Sequence, residues 1–101
     1  MWSMVMFDLP VKTKTERSQA TRFRELLLDL GYQRAQFSVY VRFSPSVNSI
    51  IPTIGKIKKG VPNGGEVRIV TITDRQWATA LRFSNARTVR SEDTPLQLAI
   101  F

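Results

Sequence analysis

The order in which strand and helix patterns follow one another constrains the fold of this chain most. An apolar run at residues 2–8 predicts a strand. The pair Thr13 and Glu16 matches a capping box and predicts the start of a helix, and Gly31 predicts its end. Between them, apolar residues recur at the helical period and form one stripe: Ala20, Phe23, Leu26, Leu27 and Leu30.

The middle of the chain repeats this alternation. Residues 32–35 and 36–43 read as extended, and the β-branched run at 66–73 predicts a buried central strand. Apolar residues at helical spacing lie between them, from Val47 to Ile57. Because Pro52 and Gly55 fall inside that repeat, the second helix either begins late, with Pro52 in its first turn, or is kinked.

The C-terminal part is less regular. Thr73 and Asp74 can cap a short helical turn, and residues 81–83 fit another short strand. The apolar run from Leu96 to Phe101 is expected to pair with a sheet edge of this chain, a second subunit or a partner. The chain therefore divides into one domain, residues 1–83, and a loop and C-terminal strand segment, residues 84–101.

These elements together predict an α+β fold. The order is that of a ferredoxin-like βαββαβ sandwich, with an antiparallel sheet and both helices on one face. The second face of such a sheet needs a cover, and another copy of the domain is the simplest one. Because many unrelated activities share this architecture, the fold alone does not identify the function.

Composition excludes several kinds of site and favours a polyanionic partner. The 101 residues include no cysteine and no histidine, which excludes disulfides, thiolate nucleophiles and histidine-bound zinc. With 15 Lys and Arg against 8 Asp and Glu, the formal net charge is +7. This charge favours nucleic acid as a partner, and the alternative is that the excess of basic residues only keeps the protein soluble. No leader or membrane-spanning run is evident, so we expect a cytoplasmic protein without a membrane partner.

Asp8 is the first candidate for chemistry, because it ends the first predicted strand. A carboxylate in that position has little freedom and suits a divalent cation, whereas the alternative is that it only begins the turn at Leu9 and Pro10. Basic residues follow it closely. The candidates for phosphate contact, with a solvated helix face as the alternative, are Lys12, Lys14, Arg17 and Arg24.

Four sequence blocks closely resemble the small second adaptation protein of CRISPR systems, and look most like its type II branch. The resemblance covers about residues 4 to 83. The blocks are Met6-Phe7-Asp8-Leu9-Pro10, the basic helix ending in Leu30-Gly31-Tyr32, Gln36-Phe37-Ser38-Val39-Tyr40 and Thr71-Ile72-Thr73-Asp74-Arg75-Gln76-Trp77.

The resemblance implies a homodimer formed through the sheets, in which Asp8 of each subunit faces its mate. That pair would be the catalytic and metal-binding site of an endonuclease for single-stranded RNA or double-stranded DNA, with Mg²⁺ or Mn²⁺ as cofactor. It also implies a non-catalytic role in spacer acquisition, in which the dimer binds double-stranded DNA and bridges two copies of the adaptation integrase. Ser38 would orient water or Asp8, or else serve strand packing or a local hydrogen bond.

Three hypotheses of function follow. The chain is a DNA-binding adaptation subunit, a metal-dependent nuclease of the kind proposed for VapD-like RNA-cleaving toxins, or a basic RNA-binding module that acts as a monomer. In each of them Phe7, Phe37 and Tyr40 either stack on bases or pack in the core or dimer interface.

Overall fold

The computed structural model describes residues 1–85, which form four strands, three α-helices and one turn of 3₁₀-helix. The four strands pair antiparallel in one sheet, in the order β2-β3-β1-β4. Their bounds are β1 Trp2–Asp8, α1 Lys14–Asp29, β2 Gln33–Gln36, β3 Val39–Phe43, 3₁₀ Val47–Ser49, α2 Ile51–Gly60, β4 Glu66–Ile72 and α3 Asp74–Ala78.

Helix α1 begins and ends where the sequence predicts. The Thr13 hydroxyl accepts a hydrogen bond from the Glu16 amide at 3.0 Å, and the Glu16 carboxylate accepts from the Thr13 amide at 3.0 Å. Gly31 follows the helix with φ +93°, a left-handed conformation that glycine adopts without steric cost. These capping contacts fix the position at which the basic face of α1 starts.

Helix α2 begins late, which decides between the two alternatives left open by its sequence. The chain first makes the 3₁₀ turn, and α2 then starts at Ile51 with Pro52 in its first turn. At the other end of α2, a side chain on Gly60 would overlap that of Leu26. The glycine therefore allows α2 to approach α1 closely.

Both long helices pack on one face of the sheet. The buried cluster combines residues from β1, α1, β3, α2 and the segment that follows α1: Val5, Phe7, Phe23, Leu27, Tyr32, Tyr40 and Ile57. Phe7 and Tyr40 are thus core residues. None of the helices within residues 1–85 is long and apolar enough to cross a membrane.

The other face of the sheet is apolar and has no layer over it within residues 1–85. We call it the open face. Its apolar side chains follow from the register, since cross-strand partners share a face: Trp2, Met4, Met6, Val39, Val41, Phe43, Val70 and Ile72. The same register places the charged residues Arg68, Asp8 and Glu66 at the other end of this face. Trp77 of α3 packs against Trp2 at one end of this face, with ring centroids 5.4 Å apart.

Three predictions about extended segments are wrong. Among the described residues β4 is an edge strand rather than a central one. Its β-branched side chains lie on both faces of the strand although only one face is covered by helices, which made the run look like a buried strand. Residues 81–83 are not in a strand. The segment 36–43 is broken by a turn at Phe37 and Ser38, so only its second part is β3.

The predicted C-terminal segment, residues 84–101, lies almost entirely outside the described residues. The expected pairing of Leu96 to Phe101 with a sheet edge therefore stays a prediction.

Candidate nucleic-acid and metal site

Two depressions meet at Asp8, which is exposed at the end of β1. The larger one has a volume of about 580 Å³ and lies between α1 and the β2–β3 hairpin. We call it the arginine cleft. The smaller one, of about 280 Å³, lies beside β4 and is lined by Met6, Phe7, Asp8, Glu66 and Arg68. Phe7 and Asp8 line both depressions, and Asp8 is the charged residue that the two depressions share.

The arginine cleft collects three guanidinium groups from two elements. α1 contributes Arg17 and Arg24 from one face, with Thr21 between them, and β2 contributes Arg34. The register pairs Arg34 with the core residue Tyr40, which places it on the helix side of the sheet. Among the described residues none of the three arginines forms an ion pair. Their charge is therefore available to an anion.

Two of these arginines are held in place by local hydrogen bonds. The Arg17 guanidinium donates to the backbone carbonyls of Lys12 at 3.1 Å and Val11 at 3.4 Å. The Arg24 guanidinium donates to the Thr21 hydroxyl at 3.3 Å. Because carbonyls and hydroxyls leave the cations unneutralised, the bonds orient positive charge without cancelling it.

The structure brings together part of the predicted basic set. Arg17 and Arg24 line the cleft, whereas Lys12 and Lys14 are exposed outside it. Arg34 was not predicted. Its inclusion depends on the register of the β2–β3 hairpin, and the turn that sets this register is not evident from the sequence.

Glu66 is a second carboxylate that the sequence reasoning missed. The antiparallel pairing of β1 with β4 places it directly opposite Asp8. Directly opposed residues have Cβ atoms about 5 Å apart. The signal was present, because antiparallel pairing of the two predicted strands sets the last residue of one against the first of the other.

This acidic pair fits a hard cation. Magnesium is commonly bound by one or two carboxylates, with water and phosphate oxygens completing its shell. Within residues 1–85 there is no group of three or more His, Cys, Asp or Glu that could hold a metal ion. One chain therefore offers a partial shell that leaves room for substrate oxygens.

The β2–β3 turn contributes Phe37 to the lining of the arginine cleft. Ser38 has φ +65°, an uncommon conformation for a residue other than glycine, and its carbonyl accepts a hydrogen bond from the Phe7 amide at 3.1 Å. The expectation of strand packing is wrong for Ser38, which lies in the turn between β2 and β3, and within residues 1–85 its side chain does not make the expected local hydrogen bond. Its hydroxyl makes no hydrogen bond within the described part of the chain. Phe37 is 85% exposed.

Comparison with known proteins gives the family. The model of the family described as CRISPR associated protein Cas2 matches residues 1–80. The chain belongs to the Cas2 family. It is 43% identical to the CRISPR-associated endoribonuclease Cas2 of Paracidovorax avenae over 101 residues, which is 100% of this chain and 94% of that protein. For the Flavobacterium psychrophilum protein of the same name, identity is 35% over 100% of this chain and 88% of the relative.

A solved Cas2 structure has the same fold. The crystal structure of Streptococcus pyogenes Cas2 at pH 6.5 superposes with a TM-score of 0.65, covering 83% of this chain and 100% of that chain at 17% identity. The resemblance of the four sequence blocks to this family, and the fold class predicted from element order, are thus confirmed. The roles of Asp8 and of the basic residues stay predictions.

Proposed function

We propose that this Cas2-family chain binds double-stranded DNA as a homodimer during CRISPR spacer acquisition and bridges two integrase subunits. The arginine cleft carries the proposal. It presents three guanidinium groups that form no ion pair with any of residues 1–85, on a chain whose formal charge is +7. Contacts of this kind with phosphate bind duplex DNA without reading its sequence.

The open face supports the homodimer. Val70 is 37% exposed and Phe43 is 51% exposed, and both belong to a continuous apolar surface across three strands. A patch of this kind marks an interaction site, and a twofold copy offers a complementary apolar face. A dimer also doubles the charge that the DNA meets.

Metal-dependent endonuclease activity is a second candidate function. The position of Glu66 opposite Asp8 favours it, as does the name endoribonuclease that the relatives carry. Asp8 would hold Mg²⁺ or Mn²⁺ with help from Glu66, and such an ion supplies an activated water and stabilises the leaving oxygen. Arg17, Arg24 and Arg34 would orient the phosphate next to this pair.

The bridging role is tested by assembling the purified chain with its cognate integrase and a DNA duplex. Size-exclusion chromatography with light scattering should show a dimer of this chain, and a larger complex in which one dimer joins two integrase subunits. The Asp8→Ala variant should form the same complex. A monomer that does not associate with integrase would reject the proposal in favour of a monomeric RNA-binding module.

The nuclease role is tested separately, with labelled single-stranded RNA and duplex DNA in the presence of Mg²⁺ or Mn²⁺. Cleavage should require the metal and disappear in Asp8→Ala. If the purified variant retains wild-type cleavage, Asp8 is not the catalytic residue and the nuclease proposal fails.

A further inference from the structure

Phe37 is an exposed aromatic residue in a basic cleft, and this combination indicates a ligand. Phe37 is 85% exposed, while the other aromatic residues that line the cleft, Phe7 and Tyr40, are buried. The nearby guanidinium groups of Arg17, Arg24 and Arg34 exclude an apolar partner, because burying them against one would leave cations unpaired.

The turn that carries Phe37 has a left-handed residue and a backbone hydrogen bond to β1. Ser38 occupies the left-handed region, which costs about 1 kcal/mol or more for a residue other than glycine. The hydrogen bond from the Phe7 amide to the Ser38 carbonyl ties this turn to β1 at the residue before Asp8. The aromatic ring is thus attached to a fixed turn at the rim of the cleft.

We propose that the arginine cleft binds one unpaired nucleotide, with its base stacked on Phe37 and its phosphate among the three arginines. Aromatic rings stack on bases of any sequence, and arginine is suited to phosphate. The cleft volume of about 580 Å³ lies in the range of small-ligand sites. A base inside a duplex is already stacked on both sides, so the site selects unpaired ends or single strands.

This inference rests on the proposed nucleic-acid binding and adds a preference that duplex binding does not require. It is tested by titrating the full-length protein with three fluorescein-labelled DNAs: a blunt duplex, the same duplex with four-nucleotide overhangs, and one with overhangs that are abasic. The abasic overhang keeps its phosphates and lacks bases. Wild type should bind the base-bearing overhang about fivefold or more tighter than the abasic one.

Variants then assign this difference to Phe37. Phe37→Ala should abolish it, whereas Phe37→Trp should keep it. Phe83→Ala is the matched control, because Phe83 is 84% exposed and does not line the cleft. A 2-aminopurine base in the overhang should lose fluorescence on binding to wild type and retain it with Phe37→Ala, since stacking quenches this base.

Two results would overturn the inference. They are equal wild-type affinity for base-bearing and abasic overhangs, or a difference that survives in Phe37→Ala. The comparison within wild type does not depend on how well any variant folds. If the wild-type protein binds none of the three DNAs, the proposed DNA-binding function itself is rejected.

Discussion

Asp8 and Glu66 are the residues whose placement most directly suggests chemistry. They face each other across β1 and β4, and like charges opposed in this way destabilise an antiparallel pair. A cation between them would remove that repulsion. The metal proposal therefore predicts a change in stability as well as in activity.

We expect Glu66→Gln to raise the Tm by about 1–4 °C in metal-free buffer, because it removes the repulsion. Addition of Mg²⁺ should raise the Tm of wild type and have a smaller effect on Glu66→Gln or Asp8→Asn. Differential scanning fluorimetry measures both effects. Glu25→Gln is the control for charge alone, because Glu25 is exposed on α1. An identical Mg²⁺ shift in all four proteins would show that the ion does not bind at this pair.

Sequence reasoning found Asp8 and part of the arginine cleft. The other residues of the site were missed for geometric reasons. Arg17 and Arg24 share a helix face, so their spacing alone brings them together. Arg34 joins the site through the register of β2 with β3, which one sequence specifies weakly, whereas Glu66 could have been found from the antiparallel pairing of two predicted strands. Phe37 was predicted within a strand, and its exposure follows from the left-handed turn at Ser38.

At the scale of elements, the start of α1 links stability to the site. The capping box fixes the first turn, and the Arg17 guanidinium bonds the carbonyls just before it. The amide of Arg17 also donates to the Thr13 carbonyl at 3.0 Å. A loose first turn would therefore displace one of the three arginines.

We expect Thr13→Ala to lower the free energy of unfolding by about 1 kcal/mol, because it removes the acceptor for the Glu16 amide. It should also weaken duplex binding through Arg17. Thr15→Ala is the control, since Thr15 lies in the same turn without a capping role and alanine is the better helix former. Urea unfolding and DNA titration check the two effects. Equal destabilisation by both substitutions would contradict the capping account.

Element order was predictable in part because α1 and α3 carry clear signals at their ends. Thr13, Gly31 and Thr73 mark boundaries that the structure confirms. The strands carry weaker signals, because apolar side chains lie on both faces of the sheet and the sequence therefore does not show which face is covered. That is why β4 was predicted to be central although it lies at an edge of the sheet.

At the scale of the whole molecule, the proposed dimer depends on the open face. Val70→Glu would place a charge on that face, on the edge strand β4 and opposite Met4. We expect it to weaken dimerisation about 100-fold or more, because burying a charge in an apolar interface costs free energy. Analytical ultracentrifugation should show that the variant is a monomer. Its circular dichroism spectrum should match that of wild type, which would show that the variant is folded.

The control for this substitution is Ile54→Glu. Ile54 is 39% exposed, close to the value for Val70, and it lies on α2 in the helical layer across the sheet. This variant should remain dimeric. If both variants dissociate, or neither does, the open face is not the dimer interface.

The central claim is that DNA binding belongs to the arginine cleft and is separable from Asp8. Anisotropy titration of a blunt duplex over a range of salt concentrations tests it most directly. Two triple variants remove the same charge from different places: Arg17→Gln, Arg24→Gln and Arg34→Gln in the cleft, and Lys56→Gln, Lys58→Gln and Lys59→Gln on α2.

Asp8→Ala should bind the duplex as tightly as wild type or more so. The arginine variant should bind more weakly, and the slope of its salt dependence should fall by about one unit for each phosphate that an arginine no longer neutralises. The lysine variant should be affected much less. Wild-type affinity in the arginine variant, or loss of binding in Asp8→Ala, would contradict the account.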